Sequence, residues 1–89
     1  MKRKEGFVLR KVCGEQVIVG EGLGAIDFGK LVSLNATAAW IWEEAGRQGD
    51  FTVASLTDAL CEAYEVDSDT ARADVDKLLA QWLELGIVE

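Results

Sequence analysis

The 89-residue sequence contains no histidine, no proline and only two cysteines. Without histidine, the commonest general base and the commonest neutral metal ligand are both missing. Cys13 and Cys61 stand 48 positions apart with no CxxC spacing. A structural zinc site needs about four ligands, mostly Cys or His, so no metal site and no cofactor is expected. The two thiols read best as reduced core residues rather than a disulfide. Long apolar runs are missing too. Lys2, Arg3 and Lys4 resemble the start of a secretory signal, but the apolar stretch Phe7-Val8-Leu9 is stopped by Arg10 and Lys11. A signal needs about 7–15 apolar residues there, and a membrane span needs about 20. The expectation is a cytoplasmic protein with no membrane role.

What is present fits one small domain across residues 1–89. Apolar residues make up 49% of the chain and charged ones 28%, an ordinary globular balance. A chain of this length buries roughly 60–65% of its unfolded surface, enough for one modest core and too little for a deep catalytic pocket. The net charge of −7 is unevenly spread. Residues 1–33 carry six basic and four acidic groups, whereas residues 34–89 carry three basic and twelve acidic. An acidic half argues against nucleic acid, since phosphate binding needs clustered Lys and Arg.

The first third, about residues 7–34, reads as three strands. Phe7 to Cys13 is rich in β-branched and aromatic residues, and Gly14-Glu15 suggests a tight turn into Gln16-Val17-Ile18-Val19. Gly20, Gly22 and Gly24 predict a loop, Gly29-Lys30 a turn, and Leu31 to Leu34 a short third strand.

Helices follow at about 36–46, 53–65 and 68–85. Asn35 is a suitable first cap, and Gly46 offers a stop. Thr52 caps the second helix, with Phe51 and Leu56 spaced as a hydrophobic staple. Val53, Leu56, Leu60 and Tyr64 recur at helical spacing. Asp67 or Ser68 caps the third helix, in which Ala71, Val75, Leu78, Leu79 and Trp82 form the apolar stripe. Leu83 and Leu85 lie at its edges, and Gly86 then Ile87 match a Schellman stop. Trp40 and Trp82 are expected in the core, with Trp42 pointing elsewhere and partly exposed. Tyr64 is expected in the core with its hydroxyl hydrogen-bonded. The predicted class is α+β, a three-stranded antiparallel sheet followed by three helices.

The run from Lys30 to Glu43, Lys-Leu-Val-Ser-Leu-Asn-Ala-Thr-Ala-Ala-Trp-Ile-Trp-Glu, resembles the PqqD family, named for pyrroloquinoline quinone biosynthesis protein D. Leu56, Leu60, Tyr64-Glu65-Val66-Asp67, Ala73-Asp74-Val75, Leu78-Leu79, Leu83 and Gly86-Ile87-Val88 continue the likeness over residues 7–88. The resemblance implies a winged helix-turn-helix-like RiPP recognition element. Such a module is a non-catalytic adaptor for ribosomally made, post-translationally modified peptides. It implies that the leader of a precursor peptide adds as a strand to the edge of the third strand, in a groove beside the third helix. It also implies a modifying-enzyme partner, often of the radical SAM type.

On that reading the peptide-binding candidates are Lys30, Leu31, Val32, Ser33 and Leu34 for strand addition, with Arg72, Asp76, Leu79 and Leu83 for side-chain selection. A free strand edge, here unprotected by proline, recruits extended peptides through its unpaired N–H and C=O groups. The same edge can pair with a second copy into a homodimer. With Val75 at the origin of a helical wheel, Leu79, Arg72, Leu83 and Asp76 fall at about 40°, 60°, 80° and 100°. They form one flank of the stripe, but periodicity leaves open which flank faces the third strand.

Plainer readings stand beside these. Leu31 to Leu34 can be a core strand, Leu79 and Leu83 core packing, and Arg72 with Asp76 a surface ion pair worth about 0.5 kcal/mol or less. Asp69, Asp74 and Asp76 lack the pocket a catalytic carboxylate pair needs. Gly20 to Gly24 lacks the helix and Lys-Ser/Thr of a phosphate loop. Two other functions compete. A winged-helix DNA-binding regulator is disfavoured by five acids against two bases in residues 67–86. A structural subunit of a larger complex is the second.

Overall fold

The computed structural model describes residues 1–22 and 25–89, with side chains outside residues 21–31. Strands β1 (Phe7–Val12), β2 (Glu15–Gly22) and β3 (Ala25–Leu34) precede helices α1 (Ala36–Gln48), α2 (Val53–Ala63) and α3 (Ser68–Leu85). The strands form one antiparallel sheet in the order β1-β2-β3. The expected class, an α+β fold of three strands then three helices, is the observed one.

Local chemistry explains most boundaries. The β1–β2 turn is Cys13-Gly14, one residue earlier than the Gly14-Glu15 expected, because Val12 pairs with Glu15. Both turn residues have positive φ, 52° and 81°, which makes a type I′ turn whose twist suits a hairpin. Cys13 is therefore exposed at a turn, not in the core, while Cys61 is half-buried; both are free thiols. The glycine loop is also revised. Gly20 and Gly22 belong to β2, Gly24 lies outside the described residues, and β3 starts at Ala25. The turn expected at Gly29-Lys30 falls inside β3, at an irregularity. Ile18 pairs with Val32 but Gly20 pairs with Asp27, so Val19 alone stands opposite residues 28–31. The glycine signal thus marks a bulge rather than a chain reversal.

The helix caps follow the sequence closely. Asn35 Oδ1 accepts from Ala38 N at 2.8 Å. Thr52 and Ser55 form a reciprocal capping box, at 2.9 and 2.8 Å. Asp67 accepts from Thr70 N at 3.2 Å. At the far end of α3, Gly86 is left-handed, with Gly86 N bonded to Leu83 O and Ile87 N to Trp82 O, both at 3.1 Å. That pair of bonds is the Schellman stop.

One core lies between the sheet and the helices. Ile18 meets Ile41, Trp42 and Ala45 of α1, Phe51, Leu56 and Leu60, and the α3 stripe Ala71, Val75, Leu79 and Trp82. Phe7, Leu9, Val32 and Leu34 pack against it from the sheet. The tryptophans exchange the roles expected of them. Trp42 is fully buried, edge-on to Trp82 at 5.3 Å, and its indole N–H finds no acceptor among the described residues. Trp40 is half-buried in the α1–α2 seam, edge-on to Tyr64 at 5.6 Å. Tyr64 caps the C-terminus of α2 and is 48% exposed, not a core residue.

Gly46 does not end α1. The helix continues to Gln48 and stops at Gly49, whose φ is 78°. Gly46 instead leaves room for Arg3, whose guanidinium lies over the Trp42 ring at 5.0 Å. Arg3 is held there because residues 2–4 pair with the chain end. Lys2 N donates to Glu89 O at 2.7 Å, Glu89 N to Lys2 O at 2.8 Å, and Lys4 N to Ile87 O at 3.0 Å. No helix is long and apolar enough to cross a membrane among the described residues.

Candidate functional site

The outer edge of β3 is not paired within the sheet, whose order leaves β2 as its one neighbour. Which backbone groups it offers follows from the hairpin. In a two-residue hairpin the closing pair, here Val12 and Glu15, exchanges both backbone bonds, and bonded pairs alternate from there. Glu15, Val17 and Val19 therefore point their N–H and C=O groups at β1, and Gln16 and Ile18 point theirs at β3. Gln16 pairs with Leu34 and Ile18 with Val32, which uses the backbone groups of Val32 and Leu34. Ser33, paired laterally with Val17, directs its N–H and C=O to the free edge. Side chains alternate the other way. Val32 and Leu34 pack on the core, and the Ser33 side chain is exposed.

A depression of about 300 Å³ opens where β3 gives way to α1. Ala38, Ile41 and Leu78 supply its apolar lining, and Asp74, Lys77 and Gln81 its α3 rim. Asn35 and Thr37 form the edge next to the strand. Its size is at the low end for a small-molecule site, and it is open to solvent, so it suits a side chain better than a cofactor. No cluster of metal-ligating side chains occurs among the described residues.

The candidate residues separate into distinct places. Ser33 and Leu34 line a different depression, with Gly14, Glu15, Gln16, Asn35 and Ala36, and Val32 packs on the core. Lys30 and Leu31 contribute backbone to β3, and their side chains lie outside the described set. Arg72 and Asp76 are exposed on the opposite flank of α3, where with Asp69 and Ala73 they line a separate depression against Val53 of α2. Among the described residues no ion pair joins Arg72 to Asp76. Leu79 is 1% exposed and belongs to the core. Leu83 is 46% exposed. The flank facing the start of α1 is thus the one carrying Asp74, Lys77, Leu78 and Gln81. Sequence reasoning passed over it, although Leu78 lies about 60° from Val75 on that side and widens the apolar stripe there.

A perturbed acid, Asp50, lies elsewhere. The Met1 ammonium donates to Asp50 Oδ1 at 2.9 Å. That hydrogen bond, reinforced by the same positive charge, holds the Asp50 carboxyl below its ordinary value of 3.8.

The chain is thus an α+β domain in which a short antiparallel sheet with an open edge is backed by three helices. Residues 15–88 match the family described as Coenzyme PQQ synthesis protein D (PqqD), and the chain belongs to that family. The fold is similar to that of a solved structure described as TbiB1 in complex with the TbiA(beta) leader peptide. The TM-score is 0.75 at 22% identity, covering 100% of this chain and 95% of that one. No curated protein matches the chain.

Proposed function

We propose that this domain is a non-catalytic adaptor. It binds the leader of a ribosomally made precursor peptide by strand addition at β3 and presents the peptide to a modifying enzyme. The observation that carries this reading is the outward-facing backbone of Ser33 on the open edge of β3. Family membership and the leader peptide bound to TbiB1 support it. A leader disordered in solution must be ordered on binding, so affinity is moderate and mostly backbone-driven. The proposed partner enzyme is of the radical SAM type, as the family resemblance implies.

Titration of isotopically labelled protein with the leader of a precursor encoded beside this chain tests the reading. Resonance shifts are expected along residues 31–34 and 74–81. Shifts confined to α2 and the Arg72 flank would place the peptide elsewhere, and DNA-dependent, salt-sensitive shifts would favour a regulator.

A further inference from the structure

We infer that β1 is a second docking edge, selective for an extended acidic segment of a protein partner. In the adaptor reading that partner is the modifying enzyme; only this assignment rests on the reading, and the edge itself does not. Among the described residues β1 has β2 as its one neighbour in the sheet, so its outer side is open. Val12 pairs with Glu15, Arg10 with Val17 and Val8 with Val19, and these are the pairs that exchange backbone bonds within the hairpin. Leu9 and Lys11 alternate with them, so their N–H and C=O groups face outward. An entering strand can bond to both residues.

The side chains along this edge decide what kind of strand is accepted. Arg10 and Lys11 are both exposed, and Lys11 enters no ion pair among the described residues. A lysine on an edge strand guards against chance pairing. An acid placed opposite turns the same charge into attraction. Successive residues of a strand point to opposite faces, so two adjacent acids of the newcomer meet Arg10 on the outer face and Lys11 on the face of Leu9. Val8 and Val12 flank Arg10 on the outer face, and Val12 is 50% exposed, which leaves apolar area for a partner to cover. A second copy of the domain is the poorer occupant, since its own β1 brings Arg10 and Lys11 to the same edge. Docking at β1 leaves β3 free, so one domain can hold a leader and its enzyme together.

The probe is a blocked peptide, acetyl-Thr-Val-Glu-Glu-Leu-Val-Thr-amide, with its Lys-Lys counterpart as control. In an NMR titration of the whole domain, the Glu-Glu peptide is expected to shift the Leu9 and Lys11 amides. Their hydrogen exchange should slow about tenfold near saturation, as new backbone bonds form. The Arg10 amide, already bonded to β2, should exchange slowly throughout. The Lys-Lys peptide should bind at least about fivefold more weakly, and high salt should narrow that gap. Lys11→Glu should reverse the preference.

Leu9 and Lys11 amides that do not respond to the Glu-Glu peptide at millimolar concentration overturn the inference. So does equal binding of the two peptides, or a response confined to β3. Leader binding, read separately in the Lys11→Glu variant, should be unchanged. If the acidic peptide fails at β1 while the leader binds β3, the adaptor reading stands without this edge. The converse result removes that reading and leaves the edge. The two peptides test charge selection on the unaltered protein, so the outcome is decided even if the variant misfolds.

Discussion

Arg3 occupies the space that the missing side chain of Gly46 leaves open, with its guanidinium 5.0 Å from the ring centre of Trp42. A β-carbon at Gly46 would collide with that guanidinium. The two residues should therefore be coupled. In an Arg3→Ala background, Gly46→Ala is expected to stabilise the domain by about 1 kcal/mol, the helix-propensity gain. With Arg3 present the gain should shrink by about 0.5–1 kcal/mol, the size of a cation–π contact. A double-mutant cycle by urea denaturation measures the difference, and additivity would dissolve the proposed contact.

Leu78 and Leu79 are adjacent in sequence but should behave differently. Leu79 is 1% exposed within the core, so Leu79→Ala should cost about 2–5 kcal/mol of folding stability. Leu78 lines the groove and is half-buried, so Leu78→Ala should cost less stability and weaken peptide binding more. Chemical denaturation and a fluorescence-polarisation titration on the same two variants separate these effects.

The two flanks of α3 can be compared directly. Arg72→Ala and Asp76→Ala, which lie against α2, are expected to leave peptide affinity within about twofold, close to what a screened surface charge contributes. Gln81→Arg, on the groove rim, is expected to weaken binding several-fold by crowding the groove. The opposite ranking would move the site to the Arg72 flank.

Gly86 ends α3 with φ at 76°, and an added β-carbon there meets ordinary contacts only. The cost of Gly86→Ala is therefore conformational, about 1 kcal/mol from the left-handed geometry. A drop in thermal midpoint with unchanged peptide affinity is the expected result.

Asp50 links stability to pH. Its carboxyl titrates below the ordinary value because the Met1 ammonium hydrogen-bonds to it. A depressed folded-state value stabilises above the unfolded value, 3.8, and that contribution fades as pH falls through the folded one. Asp50→Asn should thus be slightly less stable than the parent at neutral pH, and the two should converge in strong acid. Parallel denaturation curves at several pH values provide the check.

Much of the fold was legible because it depends on neighbours in the chain. Asn35, Thr52 and Asp67 cap their helices with bonds that span three residues, and Gly86 stops α3 through two bonds within one turn. Such contacts are written in local spacing. The α3 bounds of residues 68–85 and the burial of Val75, Leu79 and Trp82 came from the same periodicity. So did the strand content of the first third, though the turn and bulge in it shifted by residues.

The misplacements at Gly46 and the tryptophans involve partners distant in sequence. Gly46 looks like a stop until Arg3, 43 residues earlier, is found against it. Trp40 and Trp42 are equally apolar, and only the docking of α2 and α3 decides that Trp42 meets Trp82 while Trp40 meets Tyr64 at the seam. By itself the sequence determined the order of elements, their caps, the apolar stripe of α3 and the absence of histidine. It also carried the family. Tertiary structure decided which flank of α3 turns to the start of α1, because a helical stripe has two equivalent sides until a second element packs on one of them. It decided, too, that Ser33 faces outward, since that depends on which strand takes the backbone bonds of Val32 and Leu34.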